Sequence, residues 1–329
     1  MKEILAHLFE YKTFTKEEAY AILTNIATGS YDTHQIAAFM TTYGMRSIRV
    51  EELSGFRDAM YDLCNKLNFS NYDLIDLCGT GGDGKNTFNI STLASFVVAG
   101  AGYHVAKHGN VGVSSGCGSS NVMEYLGYTF TNDRDILHRQ LDEARICFLH
   151  APLFHPAMKT VGPIRRALGV KTFFNMLGPL TNPANPKFQA VGVFSLELAR
   201  LYNYLYQGTN KQYSIIHTLD GYDEISLTGD FKIINNHGEK IYGVEEIGFT
   251  PLHANDLAGG NSVEEAARIF SKIINGDGSD QQNHVVLTNA AFAIKTIHPE
   301  KTFGDCYYEA ESSLLEKKAL YCLKKLTHG

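Results

Sequence analysis

From Tyr72 onward, short apolar runs alternate with longer amphipathic ones, and this alternation restricts the fold more than any other feature of the 329-residue chain. Strand-like runs fall at 73–78, 103–106, 146–149, 189–194 and 213–217, with helical spacing between them at 92–101, 121–127, 134–144 and 196–206. Two neighbouring parallel strands need a long crossover, usually a helix, to bring the chain back. The pattern therefore predicts an α/β layer with a central, mostly parallel sheet. The stretch 225–245, "ISLTGDFKIINNHGEKIYGVE", reads as a small antiparallel excursion. Helices resume at 263–274, where Ser262 and Glu265 form a capping pair, then near 283–296 and 305–326.

The first seventy residues have a different period. Thr15 with Glu18 makes a capping box before "KEEAYAILTNIAT", Gly29 ends that run, and Asp32 can cap "THQIAAFMTTYGM". Residues 53, 56, 60, 63 and 67 then recur at close to helical spacing, and 68–71 reads as a hinge. The expected organisation is a small all-helical N-terminal domain over 1–70, joined by helices from about 155–185, and a larger α/β domain over 71–329.

Charge and cysteine usage remove several classes of function. A net charge of −6 argues against a general affinity for nucleic acid or anionic membrane, although a local basic pocket is compatible with it. The six cysteines are scattered with no C-x-x-C pair, which disfavours a structural zinc site or a disulfide framework. No apolar run approaches the ~20 residues needed to cross a bilayer. The expectation is a reduced, cytoplasmic, soluble protein.

"DLCGTGGDGKNTFNIST", residues 76–92, carries the chemistry. Gly79, Gly81 and Gly84 spell G-x-G-x-x-G after an apolar run, which is the fingerprint of a dinucleotide fold. That fold expects an acid about twenty residues further on, to hold a ribose hydroxyl. Here the second strand ends in Lys107 and His108, and residues 85–123 contain no Asp or Glu. The same stretch holds eight Ser/Thr, six glycines, Lys85 and Lys107. It suits a ligand richer in phosphate than a dinucleotide: glycine amides can turn toward phosphate, and the helix opening at Asn89-Ile90-Ser91-Thr92 favours an anion. "GVSSGCGSS", 112–120, supplies a second small-residue loop. Asp83, inside the first loop, would accept from ligand hydroxyls or meet the ligand through a cation. "DGYDE", 220–224, offers three carboxylates after a strand, the hard oxygen set that Mg²⁺ prefers when shared with phosphate; in isolation it would read as a solvated turn.

"GTGGDGKNTFNIST", "KHGN…SS", "HPAMKTVGPIRRALG", "NMLGPLTNPA" and "DGYDEIS" occur in the order found in anthranilate phosphoribosyltransferases, and the chain resembles that family from about Ile4 to its last helix. The resemblance implies a helical domain beside an α/β domain of the nucleoside-phosphorylase-like phosphoribosyltransferase kind, and a homodimer formed through the helical domains. It implies transfer of ribose 5-phosphate from phosphoribosyl pyrophosphate (PRPP) to the amine of anthranilate. By resemblance, Gly79, Gly82, Asp83, Thr87, Asn89, Ile90, Ser91 and Thr92 line the PRPP site, with Lys107, His108, Gly109, Asn110, Val111, Gly112, Val113, Ser114, Ser115 and Ser119. Ser91, Asp223 and Glu224 would hold Mg²⁺, while Gly79, Asn110 and Arg165 would contact anthranilate, Arg165 facing its carboxylate.

Val111, Gly116, Asn121 and Lys171 stand where the family more often has Arg, a basic residue, Asp and Arg. An arylamine is already nucleophilic and the sugar passes through an oxocarbenium-like state, so no covalent protein nucleophile is expected. Two other readings share parts of the pattern: a pyrimidine nucleoside phosphorylase on the same fold, and a non-catalytic nucleotide- or nucleic-acid-binding relative.

Overall fold

Seven strands form one sheet among the described residues, 1–111 and 117–327 of the computed structural model. They are β1 (Leu74–Gly79), β2 (His104–Gly109), β3 (Ile146–His150), β4 (Phe188–Gly192), β5 (Gln212–Thr218), β6 (Phe231–Asn235) and β7 (Gly238–Tyr242). The order is β3-β2-β1-β4-β5-β6-β7, parallel through β5 and antiparallel at β6 and β7. The chain leaves β1 toward β2 and β3, then crosses back to place β4 on the other side of β1. That reversal makes the carboxyl ends of β1 and β4 a topological switch point, where open α/β sheets bind their ligands.

Strands β1 to β5 are largely buried, whereas β7 at the sheet edge is exposed. Helix Ile90–Gly100, "ISTLASFVVAG", is buried nearly all round, and so is helix Asp280–Ile297. Phe96 meets Phe148 of β3 at 5.7 Å and Phe270 of helix Val263–Ile274 at 6.1 Å between ring centres. Burying one such ring stabilises the fold by roughly 1.5–3 kcal/mol.

The predicted helix at 305–326 is two helices, Phe303–Leu315 and Lys318–Thr327. Lys317 between them takes φ 65°, and its N–H donates to the Leu314 carbonyl, closing the first helix. Glycine or asparagine usually fills a left-handed helix end, so a lysine there gives no warning in the sequence.

The chain divides into two compact units, Met1–Leu67 with Ala151–Asn185, and Asn68–His150 with Pro186–Gly329; the sheet belongs to the second. The first unit is helical: Lys2–Phe9, Lys16–Ala27, Thr33–Met45, Val50–Asp62, Ala157–Leu168 and Phe174–Leu177. The caps expected at Thr15 and Asp32 are present. Its centre is an aromatic cluster of Phe39, Tyr43, Phe56 and Phe173. Beside the cluster, the buried Glu52 carboxylate accepts from the Phe14 and Arg49 amides, the Tyr43 hydroxyl and the Arg46 guanidinium.

Candidate active site

Gly79 ends β1 and pairs in register with Gly192, which ends β4. Both must be glycine for one reason. A Cβ on Gly79 would strike the Asp223 carboxylate, and a Cβ on Gly192 would strike the Asp223 backbone carbonyl. The paired glycines therefore open the switch point just wide enough for the acidic turn to enter.

That turn is locked from several directions. The Thr218 hydroxyl donates to the Glu224 carbonyl at 2.5 Å, and the Thr218 N–H donates to the Tyr222 carbonyl at 3.2 Å. Asn289, on the buried helix Asp280–Ile297, receives the Ile225 N–H at 3.1 Å and donates to the Ile225 carbonyl at 2.8 Å. Asp220 is turned away to accept from the Thr228 hydroxyl at 2.6 Å. Of the three carboxylates in "DGYDE", two are thus directed inward.

Asp223 Oδ2 accepts the Gly81 N–H at 2.6 Å. Glu224 Oε1 accepts the Ser91 N–H at 2.9 Å, at the first turn of helix Ile90–Gly100, where free amides and the helix dipole favour an anion. Burial, followed by the charge of Asp83, pushes the Asp223 pKa up to about 7. Burial and then Asp223 push Glu224 up as well.

Lys107, on β2, is the buried cation of the site. Its ammonium donates to the Leu77 carbonyl at 2.6 Å and to Ser91 Oγ at 3.4 Å. Burial pulls its pKa down, while Asp76 and Glu224 raise it. Asp223 and Glu224 are adjacent buried carboxylates whose ionised forms disfavour each other, and a divalent cation relieves that repulsion. Among the described residues, no group of three or more His, Cys, Asp or Glu is arranged to hold a metal ion alone. The set fits Mg²⁺ that takes its remaining oxygens from phosphate and water.

The glycine loop between β1 and the helix is long. Gly81, Gly82 and Gly84 take positive φ, and Asp83 Oδ1 accepts the Lys85 N–H at 3.0 Å. A distant segment holds its far end: Phe88 N–H donates to the Leu257 carbonyl at 2.9 Å, Gly259 N–H to the Asn86 carbonyl at 2.8 Å, and Thr87 bridges Ala258. Asn89 Nδ2 donates to the Cys117 carbonyl at 3.4 Å, while Ile90 and Thr92 are buried in the helix start. In a dinucleotide fold the helix would follow the strand far more tightly, so the G-x-G-x-x-G match has a different structural meaning here.

At the end of β2, His108 N–H donates to the buried Asp76 carboxylate at 3.2 Å. Gly109 lies against Ser119, and Asn110 accepts through its carbonyl from Ser119 Oγ and the Ser120 N–H, each at 3.3 Å. Val111 N–H donates to Asn110 Oδ1 at 2.8 Å. Gly112, Val113, Ser114, Ser115 and Gly116 lie outside the described residues.

A family model described as "Glycosyl transferase family, a/b domain" matches residues 71–320, and one described as "Glycosyl transferase family, helical bundle domain" matches 2–64. An anthranilate phosphoribosyltransferase from Christiangramia forsetii is 57% identical over 329 residues, covering 99% of this chain and 98% of the relative. This chain belongs to the anthranilate phosphoribosyltransferase family. The crystal structure of the family's enzyme from Thermus thermophilus matches with a TM-score of 0.90 at 29% identity, covering 98% of each chain. The Saccharomyces cerevisiae enzyme, solved in complex with PRPP and Mg, shares the fold with a TM-score of 0.89 at 23% identity, covering 98% of this chain and 96% of that one.

Within the α/β unit, then, Gly79, Ser91, Lys107, Asp223 and Glu224 form one connected network around the switch point. Arg165 belongs to the helical unit. Its guanidinium donates to Asn175 Oδ1 at 3.2 Å and lies 5.6 Å from the Phe174 ring centre; burial lowers its pKa. Arg166, one residue on, lies on a different face of the helix and is exposed.

Asn289, Thr218 and the 257–260 segment do not stand out in the sequence. Asn289 has one signal, a lone amide inside the apolar run "VVLTNAAFAI". The 257–260 segment donates and accepts through backbone, which carries no residue preference.

Proposed function

We infer that this chain transfers the 5-phosphoribosyl group of PRPP to the amine of anthranilate, giving N-(5-phosphoribosyl)anthranilate and pyrophosphate, a step of tryptophan biosynthesis. The observation that carries the mechanism is the Asp223–Glu224 turn, seated between Gly79, Gly81 and the Ser91 amide with Lys107 beside it. The departing pyrophosphate accumulates charge as the C1–O bond breaks, and positive groups fixed in advance lower that barrier.

Ser91, Asp223 and Glu224 would hold Mg²⁺, with Asp83 adding to the local negative field. When bound, the metal supplies Lewis-acid charge to phosphoryl oxygens. Lys107 adds a cation that needs no reorganisation, because the Leu77 carbonyl and Ser91 Oγ already fix it. The glycine loop and the amides opening helix Ile90–Gly100 orient the phosphoribosyl group, with Gly82, Thr87, Asn89, Thr92 and the 107–111 segment extending that surface. Gly79, Asn110 and Arg165 are the proposed anthranilate contacts, Arg165 pairing with the carboxylate. The neutral arylamine attacks C1 directly, so catalysis rests on positioning and charge rather than on a covalent nucleophile.

We also read the chain as a homodimer through its helical unit, where Phe9, Tyr11 and Met45 are exposed at 65%, 84% and 88%. Sedimentation would report it as a monomer if this reading fails. Incubation with PRPP, Mg²⁺ and anthranilate, followed by anthranilate fluorescence, tests the reaction. Fluorescence must fall only when all three are present; turnover of thymidine with phosphate and none with PRPP would assign a phosphorylase instead.

A further inference from the structure

Lys85 occupies the glycine loop, two residues after Asp83, and its own N–H closes the bond to Asp83 Oδ1. The bend sends the side chain over the acidic turn, where Nζ lies 4.4 Å from the Tyr222 ring centre. Tyr222 is 4% exposed and directly precedes Asp223 and Glu224, so its ring is a fixed platform. The lysine is thus anchored at the edge of the site without being buried in it.

The aspartates of its own loop and of the acidic turn each hold another donor. Asp83 Oδ1 holds the loop amide, Asp220 Oδ2 holds the Thr228 hydroxyl, and Asp223 Oδ2 holds Gly81. Among the described residues, Lys85 makes no ion pair; its ammonium rests on an aromatic face. Lys107 differs in each respect, being wholly buried and committed to Leu77 and Ser91. A cation on a ring is held more weakly than one hydrogen-bonded to an ionised oxygen, so an arriving phosphoryl group can capture it.

We propose that Lys85 is a further substrate-binding residue, whose ammonium leaves the Tyr222 ring to hydrogen-bond a phosphoryl oxygen of the phosphoribosyl donor. The inference rests on the PRPP reading above and assigns to that site a second, movable cation beside the fixed Lys107. Tyr222 is its resting place, which keeps the charge near the metal-binding carboxylates without neutralising them.

Calorimetric titration of PRPP with Mg²⁺ into the full-length protein and its Lys85→Met and Lys85→Arg variants tests the proposal. Lys85→Met is expected to weaken PRPP about tenfold, the scale of one charge-assisted hydrogen bond. Its PRPP affinity should also depend less on salt, while the anthranilate KM at saturating PRPP and the melting temperature stay as in the parent. Lys85→Arg should recover most of the affinity. If the parent binds PRPP and Lys85→Met binds it within about twofold, Lys85 is not a ligand residue and the proposal falls alone. Equal weakening in Lys85→Met and Lys85→Arg would assign the effect to loop shape and overturn it as well. If the parent itself shows no heat with PRPP, the underlying functional reading falls and takes the proposal with it.

Discussion

Asp223 and Gly81 lie far apart in sequence, yet the aspartate accepts the glycine amide at 2.6 Å and so ties the acidic turn to the loop after β1. The bond leaves Asp223 with one carboxylate oxygen for a metal or a ligand. Asp223→Asn combined with Glu224→Gln keeps acceptors for the Gly81 and Ser91 amides but removes both charges. Turnover should fall and the Mg²⁺ concentration for half-maximal rate should rise at least about tenfold. A magnesium titration of initial rates checks this; unchanged metal dependence would mean that the turn only shapes the loop.

Gly192 tests the same junction from the sheet side. A methyl group there would meet the Asp223 backbone, which the Thr218 and Asn289 hydrogen bonds prevent from retreating. Gly192→Ala should destabilise the protein by about 1–3 kcal/mol, the usual consequence of overpacking. Activity should drop further than stability alone explains, because the turn and the β1 loop separate. Denaturant melts beside rate measurements on the folded fraction would resolve the two effects.

The division between what the sequence discloses and what it does not follows from which atoms are involved. Strand and helix alternation, the caps at Thr15, Asp32 and Ser262, and the acid-free stretch after Gly84 are side-chain patterns, and each is visible in one dimension. The inward orientation of Asp223 and Glu224 is not visible there, because "DGYDE" in isolation is equally suited to solvent. It depends on Thr218, Asn289 and the Gly79–Gly192 pair, which are scattered along the chain and meet only once the sheet has formed. The G-x-G-x-x-G spacing misleads for a related reason. The motif specifies positive φ and close approach, and here the approaching group is the protein's own carboxylate, not a dinucleotide.

The buried carboxylates make the stability of the metal-free protein depend on pH in an unusual sense. Burial and Asp83 hold the native Asp223 pKa at about 7, above the unfolded value of 3.8. Between those values the native state binds more protons than the unfolded state, so stability falls as pH rises through this window. Below 3.8 both states are protonated and above about 7 both are ionised, so the slope vanishes at either end. In EDTA, the melting temperature of the parent should therefore decline from about pH 5 to about pH 7 relative to Asp223→Asn. Parallel melting curves for the two proteins would remove Asp223 as the source.

Glu52 offers a control in the helical unit, outside the α/β network. Its carboxylate is fully buried and serves four residues at once, among them Tyr43 and Arg46. Glu52→Ala leaves the Arg46 guanidinium without its counter-ion and two backbone amides without acceptors. Removing one partner of a buried ion pair costs about 3–5 kcal/mol, and a denaturant titration of parent and variant should return a difference of that size. A loss below about 1 kcal/mol would show that water replaces the carboxylate without strain.

Arg165 requires a kinetic measurement, because its structural contacts are modest. It makes one hydrogen bond to Asn175 and lies over Phe174, with burial disfavouring its charge. A guanidinium kept there with so little compensation gains most from an anionic partner, and the anthranilate carboxylate is the one proposed. Arg165→Ala should raise the anthranilate KM by roughly 10- to 150-fold, the equivalent of about 1.5–3 kcal/mol for a hydrogen bond to a charged group. The PRPP KM should stay near the parent value, since the proposed phosphoribosyl contacts belong to the α/β unit. Arg165→Lys should recover only part of the loss, because an ammonium cannot make the paired bonds of a guanidinium to a carboxylate. An unchanged anthranilate KM in Arg165→Ala would leave the residue a packing role against Phe174 and nothing more.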